Sequence, residues 1–234
     1  VTSTRRIIVL GTGTGVGKTW VTTTLARALH RCGASVVALK PIETGVEVSE
    51  SSDAALLASA SSTAPSAPPF VFPDPVSPHL AARRFGRAID IDVVLEHVKR
   101  HETKLEKSVT SHVTSFLIVE TAGGCLTPLA PGVVNRDLAI ALEPATWILV
   151  APDALGVLHD VSATLGALAV RGRVPDHVVL SEARERDAST GTNGPELREL
   201  GIATPVAVAA RGDEQSLDDF ARALIAEPNR ASTR

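Results

Sequence analysis

The sequence predicts a doubly wound α/β fold: a mostly parallel sheet with helices on both faces. Two observations carry that prediction. Short aliphatic or β-branched runs alternate with helix-length amphipathic stretches along the 234 residues. The runs are apolar at nearly every position rather than at alternate ones, which suits parallel strands buried on both faces.

Strands are expected at Ile7 to Leu10, Ser35 to Leu39, Phe116 to Val119, Trp147 to Val150, His177 to Leu180 and Pro205 to Ala209. Helices are expected at Lys18 to Arg31, Ser52 to Ala60, Asp92 to Glu106, Asn135 to Leu142, Leu158 to Arg171, Pro195 to Leu200 and Ser216 to Ala226. Between them, Ser61 to Pro78 holds six prolines (Pro65, Pro68, Pro69, Pro73, Pro75 and Pro78) and reads as an irregular surface loop lining a site. Ser77-Pro78 ends it as a helix N-cap followed by proline at the first helical position. Glu182 to Gly194 reads as a second polar loop. Residues 1–226 are expected to form one domain and residues 227–234 a flexible tail.

Composition narrows the function classes. Hydrophobic residues make up 44% and charged residues 21%, as in globular domains, and the net charge of −3 leaves no basic footprint for nucleic acid. Two Trp, five Phe and no Tyr leave no stacking platform for single strands. No apolar stretch approaches the roughly 20 residues of a membrane helix, and no export signal is legible around Arg5-Arg6, so a cytoplasmic protein is expected. Cys32 and Cys125 lie far apart without a CxxC pair, which suggests neither a disulfide framework nor a zinc site.

The strongest chemical signal is Gly11-Thr-Gly-Thr-Gly-Val-Gly-Lys18-Thr19, directly after the first strand and before the first helix. That context makes a phosphate-binding loop: backbone N–H groups and a helix N-terminus face the anion, Lys18 reaches the outer phosphates, and the Thr19 hydroxyl meets Mg²⁺. The generic spacing would place glycine at Thr12, so the loop is one residue longer than the strict pattern. Glu120 ends the strand that begins at Phe116, at the carboxyl edge where open α/β sheets bind ligands, and reads as a metal-organising acid. Lys40 ends the second strand at the same edge, placed to stabilise developing phosphate charge.

Weaker signals read as structural. His97 and His101 stand four apart on a helix among Glu96, Lys99, Arg100 and Glu102, and are expected on a solvated face. His79 is expected at the surface at a helix start, and Cys125 as an inert small apolar residue.

Taken in order, Gly11 to Thr19, Lys40-Pro-Ile-Glu-Thr-Gly45, Ser52-Asp53-Ala54, Ser77-Pro-His79, Val119-Glu-Thr-Ala-Gly-Gly124 and Leu155-Gly156 make the chain resemble the dethiobiotin synthetases, P-loop NTPase-type enzymes of biotin biosynthesis. The longer phosphate loop is that family's own form. The resemblance implies ATP-dependent ring closure on 7,8-diaminononanoate and CO₂, through a carbamate and a carbamic–phosphoric anhydride, in a homodimer with Mg²⁺. By matching position it implies that Lys18 and Lys40 are catalytic and that Thr19, Asp53 and Glu120 organise the metal. It implies that Gly15, Val16, Gly17, Lys18, Thr19, Trp20, Asp53, Glu120, Thr121, Ala122, Gly123 and Ser181 bind nucleotide. Thr14, Thr44, Leu155, Gly156, Val157, Leu158 and His159 are the implied substrate contacts.

Three positions depart from the family pattern. Thr121 replaces a glycine after the acid, His159-Asp160 follows where Asn and His are usual, and Ser181 stands where many members carry a base-reading Asn. Two other classes of protein fit part of the pattern: a P-loop switch ATPase of the partitioning type, and an inactive homologue. Against the switch, the loop before Lys18 contains only Gly, Thr and Val and so lacks the second, signature lysine of such ATPases.

Overall fold

The structure is a computed structural model describing residues 4–46, 52–109, 113–203 and 206–228. In chain order its elements are β1 (Arg5–Gly11), α1 (Lys18–Arg31), β2 (Ser35–Leu39), β3 (Ile42–Thr44), α2 (Asp53–Ser59), β4 (Phe70–Phe72), α3 (Pro78–Phe85), α4 (Ile91–Ser108) and β5 (Ser115–Glu120). There follow β6 (Pro128–Ala130), β7 (Val133–Val134), α5 (Asn135–Ala141), β8 (Thr146–Asp153), α6 (Val157–Ala169), β9 (His177–Glu182), α7 (Asn193–Glu199), β10 (Val206–Ala209) and α8 (Asp218–Ala226).

Six strands form the central sheet in the order β10-β9-β8-β1-β5-β2, every neighbouring pair parallel. Ile7 of β1 is flanked by Ile118 of β5 and Thr146 of β8, so the glycine-rich loop springs from the middle of the sheet. Both faces are buried, as the unbroken apolar runs require. Ile8, Leu10, Leu117, Val119, Trp147 and Leu149 point to one face, where Val94 and Val98 of α4 and Val161 of α6 close the core. Ile7, Val9, Phe116, Ile118, Ile148 and Val150 point to the other, under Val21, Leu25 and Leu29 of α1 and Ala221 and Leu224 of α8.

The edge strand β2 is protected by side chains. Ser61 Oγ accepts from the Ala38 N–H at 2.9 Å and Ser62 Oγ from the Val36 N–H at 3.0 Å, which satisfies edge groups that would otherwise invite pairing.

Several expectations need correction. The Pro-rich interval contains β4, which pairs in parallel with β3. Three residues are too few to stand out as a periodic run. The last internal helix begins at Asn193, before the proline, because proline is tolerated in a first turn. His97 and His101 are not solvated: they are 4% and 6% exposed, in phase with Val94, Val98 and Leu105 on the buried stripe of α4. Their rings lie 4.5 Å apart. The Nδ1 of His101 donates to the His97 carbonyl at 2.8 Å, and its Nε2 accepts from the Ser66 N–H at 3.0 Å, fixing the Pro-rich loop to α4. The expected strand residue Pro205 and residues 229–234 of the expected tail lie outside the described residues.

Candidate active site

The phosphate loop turns on glycine. Gly15 and Gly17 adopt positive φ, and Gly17, with φ of 92°, is the N-cap of α1. A Cβ at position 17 would collide with the Ser181 side chain at the end of β9. Lys18, far from being exposed, is buried at the start of α1, and its Nζ donates to the Gly13 carbonyl at 2.9 Å inside the loop. Burial pulls the Lys18 ammonium down to about 8, against the opposing charge of Glu120.

Glu120, 1% exposed, is the hub. Its Oε1 accepts from Thr19 Oγ1 at 2.8 Å and from Lys40 Nζ at 2.9 Å. Its Oε2 accepts from Thr22 Oγ1 at 2.8 Å. Lys40 also pairs with Asp53 at the start of α2, so one ammonium bridges two carboxylates. Burial alone would lower the Lys40 pKa, but Glu120 and Asp53 outweigh it and hold the group well above the ordinary lysine range. Four separate segments thus deliver Lys18, Thr19, Lys40, Asp53 and Glu120 to the carboxyl edge of the sheet.

These residues line a cleft of about 990 Å³. Thr14, Gly15, Trp20, Thr44, Ala122 and Gly123 line it as well. Val16 packs against the core beneath α1. Thr121 turns away: its hydroxyl donates to the Val9 carbonyl at 3.0 Å, so the extra Cβ and hydroxyl sit in the core and not beside the nucleotide loop. Ser181 is buried against Gly17. Glu182 has both carboxylate oxygens occupied, by Arg186 Nη1 at 2.6 Å and the Arg211 N–H at 2.7 Å.

Leu155 to His159 stand apart from the cleft, around the N-terminus of α6. Leu155 is 86% exposed, Val157 is buried in the core, and Gly156 caps the helix with φ of 97°. The Leu155 N–H donates to Asp187 Oδ2 at 2.8 Å. His79 accepts or donates at Nδ1 with the Ser77 hydroxyl, 3.1 Å away, in place of the expected side-chain cap on α3. Cys125 is buried and its thiol is pushed up to about 12 by burial, which makes it inert as expected.

Sequence reasoning missed four contributors. Asn135, buried at the start of α5, donates from Nδ2 to the carbonyls of Ala122 at 2.6 Å and Gly124 at 2.9 Å, pinning the turn after Glu120. Arg184 and Arg211 line the cleft beyond Trp20, and the Arg211 guanidinium lies 5.6 Å from the Trp20 ring centre. The fourth is Glu43, buried at 3% exposure between Lys40 and α2. Burial raises its carboxyl above the usual range, against a hydrogen bond from Ala54. A helix-start asparagine, two arginines and a strand glutamate carry no spacing signal of their own; only the fold brings them here.

The donor set suits a hard cation. Thr19, Glu120 and Asp53 offer only oxygen, and the Lys40 ammonium already draws both carboxylates together. Among the described residues no three His, Cys, Asp or Glu cluster as metal ligands, so a cation held here would take its remaining oxygens from phosphate and water. Among the same residues no helix is long and apolar enough to cross a membrane.

A family model described as an AAA domain matches residues 5–219. An ATP-dependent dethiobiotin synthetase of Anaeromyxobacter dehalogenans is 34% identical over 208 residues, 87% of this chain and 89% of that protein. One from Rhodococcus erythropolis is 33% identical over 92% of each chain, and one from Streptomyces coelicolor is 40% identical over 71% of this chain and 66% of its own. The MinC:MinD cell division complex of Aquifex aeolicus contains a chain with the same fold, at a TM-score of 0.50 and 14% identity, covering 96% of this chain and 97% of that one. The structural likeness shows a P-loop fold alone, whereas the sequence identity reaches across nearly the whole chain. By that identity and coverage, the chain belongs to the ATP-dependent dethiobiotin synthetase family.

Proposed function

We propose that the cleft closes the ureido ring of dethiobiotin from 7,8-diaminononanoate and CO₂, with ATP as co-substrate. The observation that carries the reading is the convergence of Lys18, Lys40, Thr19, Asp53 and Glu120 on one cleft, since phosphoryl transfer needs chiefly positioning and charge stabilisation. One amine of the substrate attacks CO₂ and loses a proton, giving a carbamate. A carbamate oxygen attacks the γ-phosphorus, the bond to the β-phosphate oxygen breaks, and ADP leaves. The second amine then attacks the carbonyl carbon of the carbamic–phosphoric anhydride, inorganic phosphate departs, and the five-membered ring closes.

In this reading the loop N–H groups from Gly15 to Thr19 hold the β-phosphate, while Lys18 and Lys40 carry the charge that grows on the transferred group. Thr19, Asp53 and Glu120 would hold Mg²⁺, which when bound neutralises phosphate oxygens. Thr14 and Thr44, both on the cleft wall, meet the diamine or its carbamate. The N-terminus of α6, Leu155 to His159, with Leu155, Gly156 and His159 exposed, faces a neighbouring subunit and receives the substrate carboxylate at its backbone N–H groups. This makes a homodimer part of the proposal. A cytoplasmic location is part of the same proposal.

The test is incubation of the protein with ATP, Mg²⁺, bicarbonate and the diamine, followed by mass spectrometry of the product. Dethiobiotin formed in step with ADP is expected. ATP hydrolysis that ignores the diamine would favour a switch ATPase, and no turnover with nucleotide bound would favour an inactive homologue.

A further inference from the structure

Glu43 is the middle residue of β3, three positions after Lys40, and its carboxylate is buried without an ion pair among the described residues. Its Oε1 accepts from the Ala54 N–H at 3.0 Å. Its Oε2 is buried, with no hydrogen-bond partner among the described residues. A buried carboxyl with one unmatched oxygen is costly, and a fold retains such a group where its remaining bond matters.

That bond fixes α2. Asp53 and Ala54 are the first two residues of the helix, and Asp53 supplies the carboxylate that pairs with Lys40. The chain therefore closes a ring: Lys40 runs through β3 to Glu43, Glu43 binds Ala54, and its neighbour Asp53 binds Lys40. Ser52 Oγ accepts from the Ala55 N–H at 3.1 Å, capping the same turn. At the other end of α2, Ser61 Oγ donates to the Leu57 carbonyl at 2.9 Å while accepting from Ala38 of β2. The helix is thus tied to β2 behind and β3 in front, and Lys40 lies in the link between those strands.

We propose that Glu43 is a positioning residue for phosphoryl transfer, holding the first turn of α2 so that Asp53 meets Lys40 at the cleft. This rests on the reaction proposed above. Glu43 is not among the lining residues of the cleft, so it acts through Asp53 and not on the substrate.

Glu43→Ala removes the acceptor, whereas Glu43→Gln keeps an oxygen in the same place. The expected result for Glu43→Ala is a kcat lowered at least tenfold and a half-saturating Mg²⁺ concentration raised at least fivefold, with KM for the diamine within twofold. Glu43→Gln should stay within threefold of the wild type in all three. In a double-mutant cycle, adding Glu43→Ala to Asp53→Ala should cost little more than Asp53→Ala alone. Glu43→Leu replaces Glu43→Ala if the latter does not fold, since it keeps buried volume without an acceptor. A residue needed for folding alone would lower the melting temperature and leave the kinetics of folded protein unchanged; that outcome, or multiplicative effects in the cycle, overturns the proposal. Mg²⁺-dependent nucleotide affinity, measured by calorimetry on the same variants, separates this failure from that of the assigned reaction. If the wild type makes no dethiobiotin, an unchanged Mg²⁺ dependence in Glu43→Ala still refutes the positioning role.

Discussion

Thr19 and Glu120 are joined by a hydrogen bond of 2.8 Å, from Oγ1 to Oε1, and the same carboxylate oxygen also accepts from Lys40. The phosphate loop, the β5 terminus and the β2 exit are thereby tied to one another through a single carboxylate. Catalysis by preorganised charge requires that arrangement, because groups already in place need not reorganise during the reaction.

Lys18→Ala should reduce turnover by about 10³-fold or more while leaving the circular dichroism spectrum native, since the residue supplies charge to phosphate. Lys40→Ala should lower kcat by roughly 10²-fold, with nucleotide affinity falling less than tenfold. Calorimetry on both variants checks the division of roles. A collapse of nucleotide affinity in Lys40→Ala would make Lys40 a binding residue.

Selectivity among nucleoside triphosphates should be weak, with less than about 1.4 kcal/mol, a factor of ten, separating ATP from the others. Ser181 faces Gly17, Glu182 has no free carboxylate oxygen, and one hydroxyl cannot reproduce the paired donor and acceptor of an asparagine amide. Comparing kcat/KM for the four triphosphates decides it. A preference for ATP above a hundredfold would mean that another group reads the base, and Arg184 and Arg211 on the cleft wall are where to look.

Stability should fall between pH 6.5 and 4. Burial lowers the His97 pKa from 6.5 to about 4, with His101 and Arg100 adding to the effect. The unfolded state then binds the proton more readily, so the contribution of neutral His97 is complete above 6.5 and is lost as pH falls toward 4, by at most about 3 kcal/mol. The groups facing it include His101 and, on the solvent side of α4, Arg100. His97→Leu should flatten the melting temperature over this range; an unchanged slope would contradict the assignment.

Sedimentation should report a dimer at assay concentration, with α6 at or near the contact. A fully active monomer would remove the neighbouring subunit from the substrate site.

The chemistry was legible where it is local in sequence. The glycine loop with Lys18-Thr19, Lys40 and Glu120 at strand ends, and the six-strand core all announce themselves through spacing and apolar runs. The supports were not. Asn135 and Glu43 reach the site through tertiary contacts between segments that no periodicity links. His97 and His101 are buried by the helical phase they share with Val94, Val98 and Leu105, a phase that the charged residues between them mask in the sequence. Short strands such as β3 and β4 escape notice because three residues give too little alternation to read.

The central claim is that a carbamate oxygen attacks the γ-phosphate. Supplying ¹⁸O-labelled CO₂ in a single turnover, faster than exchange with water, tests it directly. When the second amine expels phosphate, the carbon–oxygen bond of the anhydride breaks and the bridging oxygen leaves with phosphorus. The account predicts one labelled oxygen in each phosphate released together with dethiobiotin. Phosphate free of label, at matched product yield, would contradict it.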